Sequence, residues 1–155
     1  MRAVAVDPPF ATTLLVRDSC LCLHAQRAAR ALARRFDVAL APAGLTSGQF
    51  SLLMSLNRPV PATLGSVAAL LAMDRTTLTA NLKPLERRKL VKASVDPEDR
   101  RARLLQLTAA GRKVLIAAVP IWTQLHAAIE AELADADRLR ADLNALARLD
   151  QGEAA

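Results

Sequence analysis

Asp74-Arg75-Thr76-Thr77-Leu78-Thr79-Ala80-Asn81-Leu82-Lys83-Pro84-Leu85-Glu86-Arg87-Arg88 is the stretch on which the fold turns. Leu78, Leu82 and Leu85 recur at spacings of four and three, so a 3.6-residue period lines them up as one narrow apolar seam. Asp74 stands where an N-cap belongs, with a carboxylate that can accept an orphan amide of the first turn. Packing the seam inward turns Thr76, Ala80, Lys83 and Arg87 outward, flanked by Arg75, Thr77 and Thr79. The outward face is small and polar at its start and basic towards its end. Short hydroxyl side chains near a helix N-terminus let the backbone sit deep in a major groove, and the amide end of the helix attracts phosphate. Pro84 removes one backbone donor, which predicts a bend and not a stop.

Upstream, Thr63 caps a short helix carrying Leu64, Val67, Ala68 and Leu71, and Ala72-Met73 joins it to Asp74, giving helix, tight turn, helix. Thr46-Ser47-Gly48-Gln49 fits a capping box that opens another helix running to about Leu56, and residues 57–61 form a turn. Residues 14–40 contain neither Gly nor Pro, and Leu21, Ala25, Ala28, Leu32 and Phe36 mark one long first helix ended by Pro42 and Gly44.

Downstream, residues 90–94 and 103–107 read as two strands joined by a charged loop, a hairpin that carries Asp99, Arg100, Arg101 and Arg103. Guanidinium groups on such a hairpin reach a neighbouring minor groove or its phosphates. Thr108 caps a long helix bent at Pro120, and Asp135 or Asp137 opens a last one ending near Leu149. The formal net charge is +6, yet residues 75–103 hold nine Lys/Arg against four Asp/Glu, leaving the remainder nearly neutral. A focused positive patch of this kind suits phosphate binding, because each neutralised phosphate releases counterions.

With 155 residues the chain has room for one compact unit or two small lobes, not for two enzymatic domains. The aromatics are Phe10, Phe36, Phe50 and Trp122, so the core must be built from Leu, Ala and Val. The longest apolar run, residues 114–122, is too short to cross a bilayer and holds Pro120, and Asp7-Pro8-Pro9 interrupts the N-terminal residues before a secretory segment forms. The expected location is the cytoplasm, without membrane contact. His24 and His126 belong to no metal-spaced cluster, and no nucleophile–base pair, paired CxxC or Gly-rich phosphate loop is present. No cofactor and no enzymatic activity are expected.

Residues 44–50 (GLTSGQF), 73–79 (MDRTTLT), and Asp96-Pro97-Glu98-Asp99-Arg100-Arg101 followed by Leu107-Thr108-Ala109-Ala110-Gly111 resemble the MarR family over nearly the whole chain. The Asp-x-Arg wing followed by Leu-Thr-x-x-Gly is the most specific of these. The resemblance implies a mainly α fold with a small β-hairpin wing, a winged helix-turn-helix with N- and C-terminal dimerisation helices. It implies a homodimer that represses promoters by binding a palindromic double-stranded operator until a small-molecule effector or an oxidant intervenes, with Asp99 and Arg101 bracing or inserting the wing. The expected division is one unit over residues 14–149, with a DNA-binding lobe at 45–108, a helical dimerisation lobe at 14–42 and 109–149, and flexible tails at 1–12 and 150–155. Ala80 stands where many relatives carry Arg, and Lys89 where many carry Gly, so Lys89 must accept a left-handed backbone or the helix must end differently.

The same resemblance points to an effector pocket near Phe50, Met54 and Trp122, whose plainer reading is core packing. Cys22 matches the reactive-cysteine position of the hydroperoxide-sensing branch, which makes thiol-based sensing an alternative function. Two residues apart on one helix, the Cys20 and Cys22 side chains diverge, and burial as small hydrophobes is the expected fate of both. A non-enzymatic helical ligand-binding or adaptor protein is the alternative of another class, and it leaves the basic hairpin unexplained.

Overall fold

The computed structural model describes residues 7–149. By internal contacts the residues up to Arg35 form one compact unit and those from Phe36 onward a second.

The first unit holds α1 (Phe10–Ser19) and most of α2 (Leu21–Leu40). The single helix expected over residues 14–40 is thus corrected to two, because Cys20 takes an extended conformation (φ −72°, ψ 106°) between them. Two local bonds replace the helical continuation: Ser19 donates its hydroxyl to the Leu15 carbonyl at 2.6 Å, and Cys20 Sγ accepts the Leu23 amide at 3.4 Å as a cap would. Phe10, Ala11 and Thr12, expected in a flexible tail, form the first turn of α1, where Pro9 fills the N-cap position and its carbonyl accepts the Thr12 amide at 2.9 Å. Of that expected tail, residues 1–6 lie outside the described residues, as does the whole of the tail at 150–155.

In the second unit a 3-10 turn (Ala41–Ala43) closes α2, and Gly44 follows with φ 68°. The expected caps all form. Thr46 Oγ1 accepts the Gln49 amide and Gln49 Oε1 the Thr46 amide, both at 3.2 Å, at the start of α3 (Ser47–Ser55). Thr63 Oγ1 accepts the Ser66 amide at 3.1 Å to open α4 (Leu64–Leu70). Asp74 Oδ1 accepts the Thr77 amide at 2.8 Å to open α5 (Arg75–Arg87), which contains Pro84 and continues past it. Lys89 does take the left-handed conformation, at φ 57°, and the Leu90 amide reaches back to the Leu85 carbonyl at 2.9 Å.

Three strands form one antiparallel sheet in the order β1-β3-β2, with β1 at Ala62–Thr63, β2 at Val91–Val95 and β3 at Arg103–Leu107. Leu105 is the shared centre, opposite Ala62 on one side and Ala93 on the other. The hairpin was expected; β1 was not, since two residues are too few to display a strand period. Thr108 then caps α6 (Ala109–Glu130), and Asp135 caps α7 (Ala136–Arg148).

Leu40, Leu53, Leu78, Leu85 and Leu105 are buried in one core with Val67, and Leu115 and Ala118 of α6 join it. Each such leucine contributes about 1.5–3 kcal/mol of burial, enough for the Leu78–Leu82–Leu85 seam to fix which face of α5 looks outward. On α7 the apolar stripe Leu139, Leu143 and Leu146 stays exposed, and α1 buries no side chain.

Candidate nucleic-acid interface

The outward face of α5 is the one the seam dictates: Thr76, Ala80, Lys83 and Arg87 are all exposed. Thr77 and Thr79 flank it with their hydroxyls committed to the helix, Thr77 donating to Asp74 Oδ2 at 2.6 Å and Thr79 to the Arg75 carbonyl at 2.7 Å. Thr76 is thus the first-turn threonine whose hydroxyl is not committed to the helix. The two Thr77 bonds, hydroxyl first and amide second, hold the Asp74 carboxyl below the usual carboxylate range, so the cap is ionised. Arg88 points away from this face and donates to the Gly44 carbonyl at 2.8 Å, tying the exit of α5 to the end of α2.

The hairpin is braced from within. Asp99 Oδ1 accepts the Arg101 amide at 2.9 Å, the Asp99 carbonyl accepts the Ala102 amide at 2.8 Å, and Asp96 Oδ1 accepts the Glu98 amide at 2.9 Å. Asp99 therefore shapes the loop through backbone donors, leaving the exposed Arg100 and Arg101 guanidinium groups at its tip. Arg103 Nη2 stands 3.9 Å from Glu86 Oε1 of α5.

The first turn of α5 and the root of the wing meet at a cleft of about 390 Å³ lined by Arg75, Asp99, Arg101 and Arg103, with Thr63 and Gly65 forming its other wall. Three arginines from two successive elements, the start of α5 and the hairpin that follows it, thereby line one cleft. Thr63 and Gly65 were absent from the sequence reading. Their place follows from β1, which fastens the start of α4 beside Leu104 and Leu105, and a Cβ on Gly65 would stand 3.4 Å from Arg75 Nη2.

A second hollow, about 440 Å³, lies among α3, α4 and α6 and brings Phe50, Met54 and Trp122 together with Leu70, Leu71 and Val119. Ser51 and Ser55 supply its hydroxyls. Phe50 and Trp122 stack at 6.0 Å between ring centroids, and Trp122 stacks on His126 at 4.5 Å. Cys22, by contrast, is exposed and Cys20 half-buried, so the chain itself does not bury them as expected. Among the described residues no group of His, Cys, Asp and Glu is arranged to hold a metal ion. No helix among them is long and apolar enough to cross a membrane.

Residues 45–102 match the sequence profile of the MarR family. The transcriptional regulator MosR of Mycobacterium tuberculosis, solved in complex with DNA, is 38% identical, with 86% of this chain and 97% of MosR covered at a TM-score of 0.80. This chain belongs to the MarR family. The transcriptional repressor CouR of Rhodococcus jostii, solved on a 23-mer DNA duplex, is 30% identical over 87% of this chain and 95% of CouR, at a TM-score of 0.71. The transcriptional repressor NicR of Pseudomonas putida is 35% identical over 81 residues, which are 52% of this chain and 51% of NicR. The chain thus spans about half the length of the curated relatives that it matches.

Proposed function

We propose that this chain is a sequence-specific transcription regulator that grips double-stranded DNA as a homodimer, with α5 in the major groove and the wing alongside. The observation that carries the reading is the convergence of Arg75, Arg101 and Arg103 on one cleft beside the exposed Thr76–Ala80–Lys83–Arg87 face of α5. Thr76 and Ala80 are small enough for the backbone to approach base edges, with Thr77 and Thr79 holding the first turn rigid. Lys83, Arg87, Arg100 and the cleft arginines meet phosphates or the adjacent minor groove. The DNA-bound state of MosR and CouR supports the assignment.

Residues 45–108 form the DNA-binding lobe in this proposal, and residues 14–42 with 109–149 the dimerisation lobe, to which the exposed Leu139–Leu143–Leu146 stripe contributes. The protein acts in the cytoplasm and has no catalytic role. It is a repressor, as NicR is named, released by a small molecule held near Phe50, Met54 and Trp122. A footprint on the promoter of its own gene tests this: protected half-sites about one helical turn, ~10 bp, apart are expected. Monomeric protein that leaves this promoter unprotected at low ionic strength would overturn the proposal.

One observation favours a second route of release. Cys22 is exposed, with Gln26 Nε2 donating to its Sγ at 3.2 Å, so an oxidant can reach the sulfur. Peroxide that releases DNA from the native chain and equally from Cys22→Ser would exclude this route.

A further inference from the structure

The outward face of α5 is poor in free donors over its first two turns, the part of a reading helix that meets base edges. Resting on the reading of α5 as the helix in the major groove, we infer that Ala80 selects a thymine by its 5-methyl group, so that each operator half-site carries a T·A pair opposite Ala80.

Most side chains of these two turns are already engaged. Thr77 and Thr79 give their hydroxyls to Asp74 Oδ2 and the Arg75 carbonyl, at 2.6 and 2.7 Å, so a methyl group is what each has left for a base. Arg75, the one guanidinium there, lines the cleft with Arg101 and Arg103. Its Nη2 lies against the start of α4, where a Cβ on Gly65 would stand 3.4 Å from it. Asn81, the one side-chain amide, donates to Met73 Sδ at 3.7 Å. Thr76 keeps an uncommitted hydroxyl, but a hydroxyl donates to or accepts from either partner of a pair and chooses no base by itself.

Ala80 stands exposed at the middle of this face, one turn beyond Thr76 and just before Lys83. Guanine is recognised by an Arg or Lys on its O6 and N7, and adenine by an Asn or Gln fork; Ala80 has neither. Laid against a purine, it would strip water from acceptors and return no donor. The feature of the major groove that a methyl side chain can answer is the thymine 5-methyl, because two apolar groups then leave water together. Lys83 follows as a flexible point charge suited to a phosphate or a neighbouring base.

The footprint on the promoter locates the half-sites. Each thymine within them is then replaced by deoxyuridine, one position at a time and symmetrically in both, which removes the 5-methyl and leaves pairing unchanged. Binding of the full-length protein is read by fluorescence anisotropy. At one thymine of each half-site the replacement is expected to weaken binding about fourfold per half-site, the worth of one buried methyl. Ala80→Gly lacks the answering methyl and is expected to lose that discrimination. Ala80→Arg places a good helix former at an exposed position, so folding is not at stake, and is expected to move the preference at the same pair from T·A to G·C. Native protein that tolerates deoxyuridine at every thymine, yet still prefers this promoter to a scrambled duplex, overturns the inference and leaves the regulator reading intact. A deoxyuridine penalty equally large in Ala80→Gly and Ala80→Arg overturns it as well, since another group then reads the methyl. Native protein that binds the promoter no better than the scrambled duplex overturns the regulator reading itself, and the inference with it.

Discussion

Gly111 stands so close to Leu90 that a Cβ on it would lie 2.1 Å from the Leu90 carbonyl oxygen. The contact explains why Thr108 and Gly111 occur together. Thr108 Oγ1 donates to the Lys89 carbonyl at 2.7 Å and accepts the Gly111 amide at 3.0 Å, so one hydroxyl joins the exit of α5 to the entry of α6. Gly111→Ala must push α6 away from backbone that cannot give, and a loss of about 3 kcal/mol is expected, at the upper end of overpacking. Thr108→Ala, which removes the cap alone, is expected to cost about 1 kcal/mol. Urea unfolding of both variants checks the order, and a Gly111→Ala midpoint equal to the native one would refute the contact.

Lys89 carries a side chain at φ 57°, where only glycine is at ease. Lys89→Gly is therefore expected to raise stability by up to about 1 kcal/mol, and Lys89→Val to lower it, since a β-branched residue suffers most there. Thermal melts of the pair separate the conformational effect from the lost charge, because both variants remove the same ammonium group.

Much of this fold was legible because its caps are explicit. Thr46, Thr63, Asp74, Thr108 and Asp135 each have a side-chain oxygen that accepts an amide of the following first turn; the first four were recognisable by residue type and offset, and Asp135 as one of two candidates beside Asp137. The break at Cys20 was not, because neither Gly nor Pro marks it and a thiol is an uncommon cap. The DNA-facing candidates on α5 followed from the leucine seam, whose burial fixes the opposite face. What the sequence could not supply was adjacency across the chain: Thr63 and Gly65 reach Arg101 and Arg103 only through the two-residue strand β1, and the walls of the hollow come from three helices whose packing no local period encodes.

In the proposed interface Asp99 and Arg101 have different parts, which substitutions can separate. Asp99 Oδ1 holds the Arg101 amide, a bond that an asparagine carbonyl can replace. Asp99→Asn is expected to keep near-native affinity and Asp99→Ala to weaken it by loosening the loop. Arg101→Ala and Lys83→Ala are each expected to cost ~1–3 kcal/mol where the contact is to a base edge, and to flatten the salt slope by about one where it is to phosphate. Fluorescence anisotropy across a salt series reads both quantities. Native affinity and slope in both Arg101→Ala and Lys83→Ala would disprove the assigned interface.

Acid should reach the reading helix through its cap. The Asp74 carboxyl sits below its ordinary range because the Thr77 hydroxyl and amide donate to its ionised form. A folded-state value depressed below the unfolded one, about 3.9, contributes stability that is complete above the unfolded value and fades as pH falls through the folded one. Asp74→Asn keeps an acceptor for the Thr77 amide and cannot titrate. The native chain is therefore expected to be the more stable of the two at neutral pH, with the gap holding steady down to about pH 4 and closing below it. Urea midpoints measured at intervals between neutral and strongly acidic pH follow the gap. One that closed well above pH 4, or persisted unchanged in strong acid, would remove Asp74 as the titrating cap.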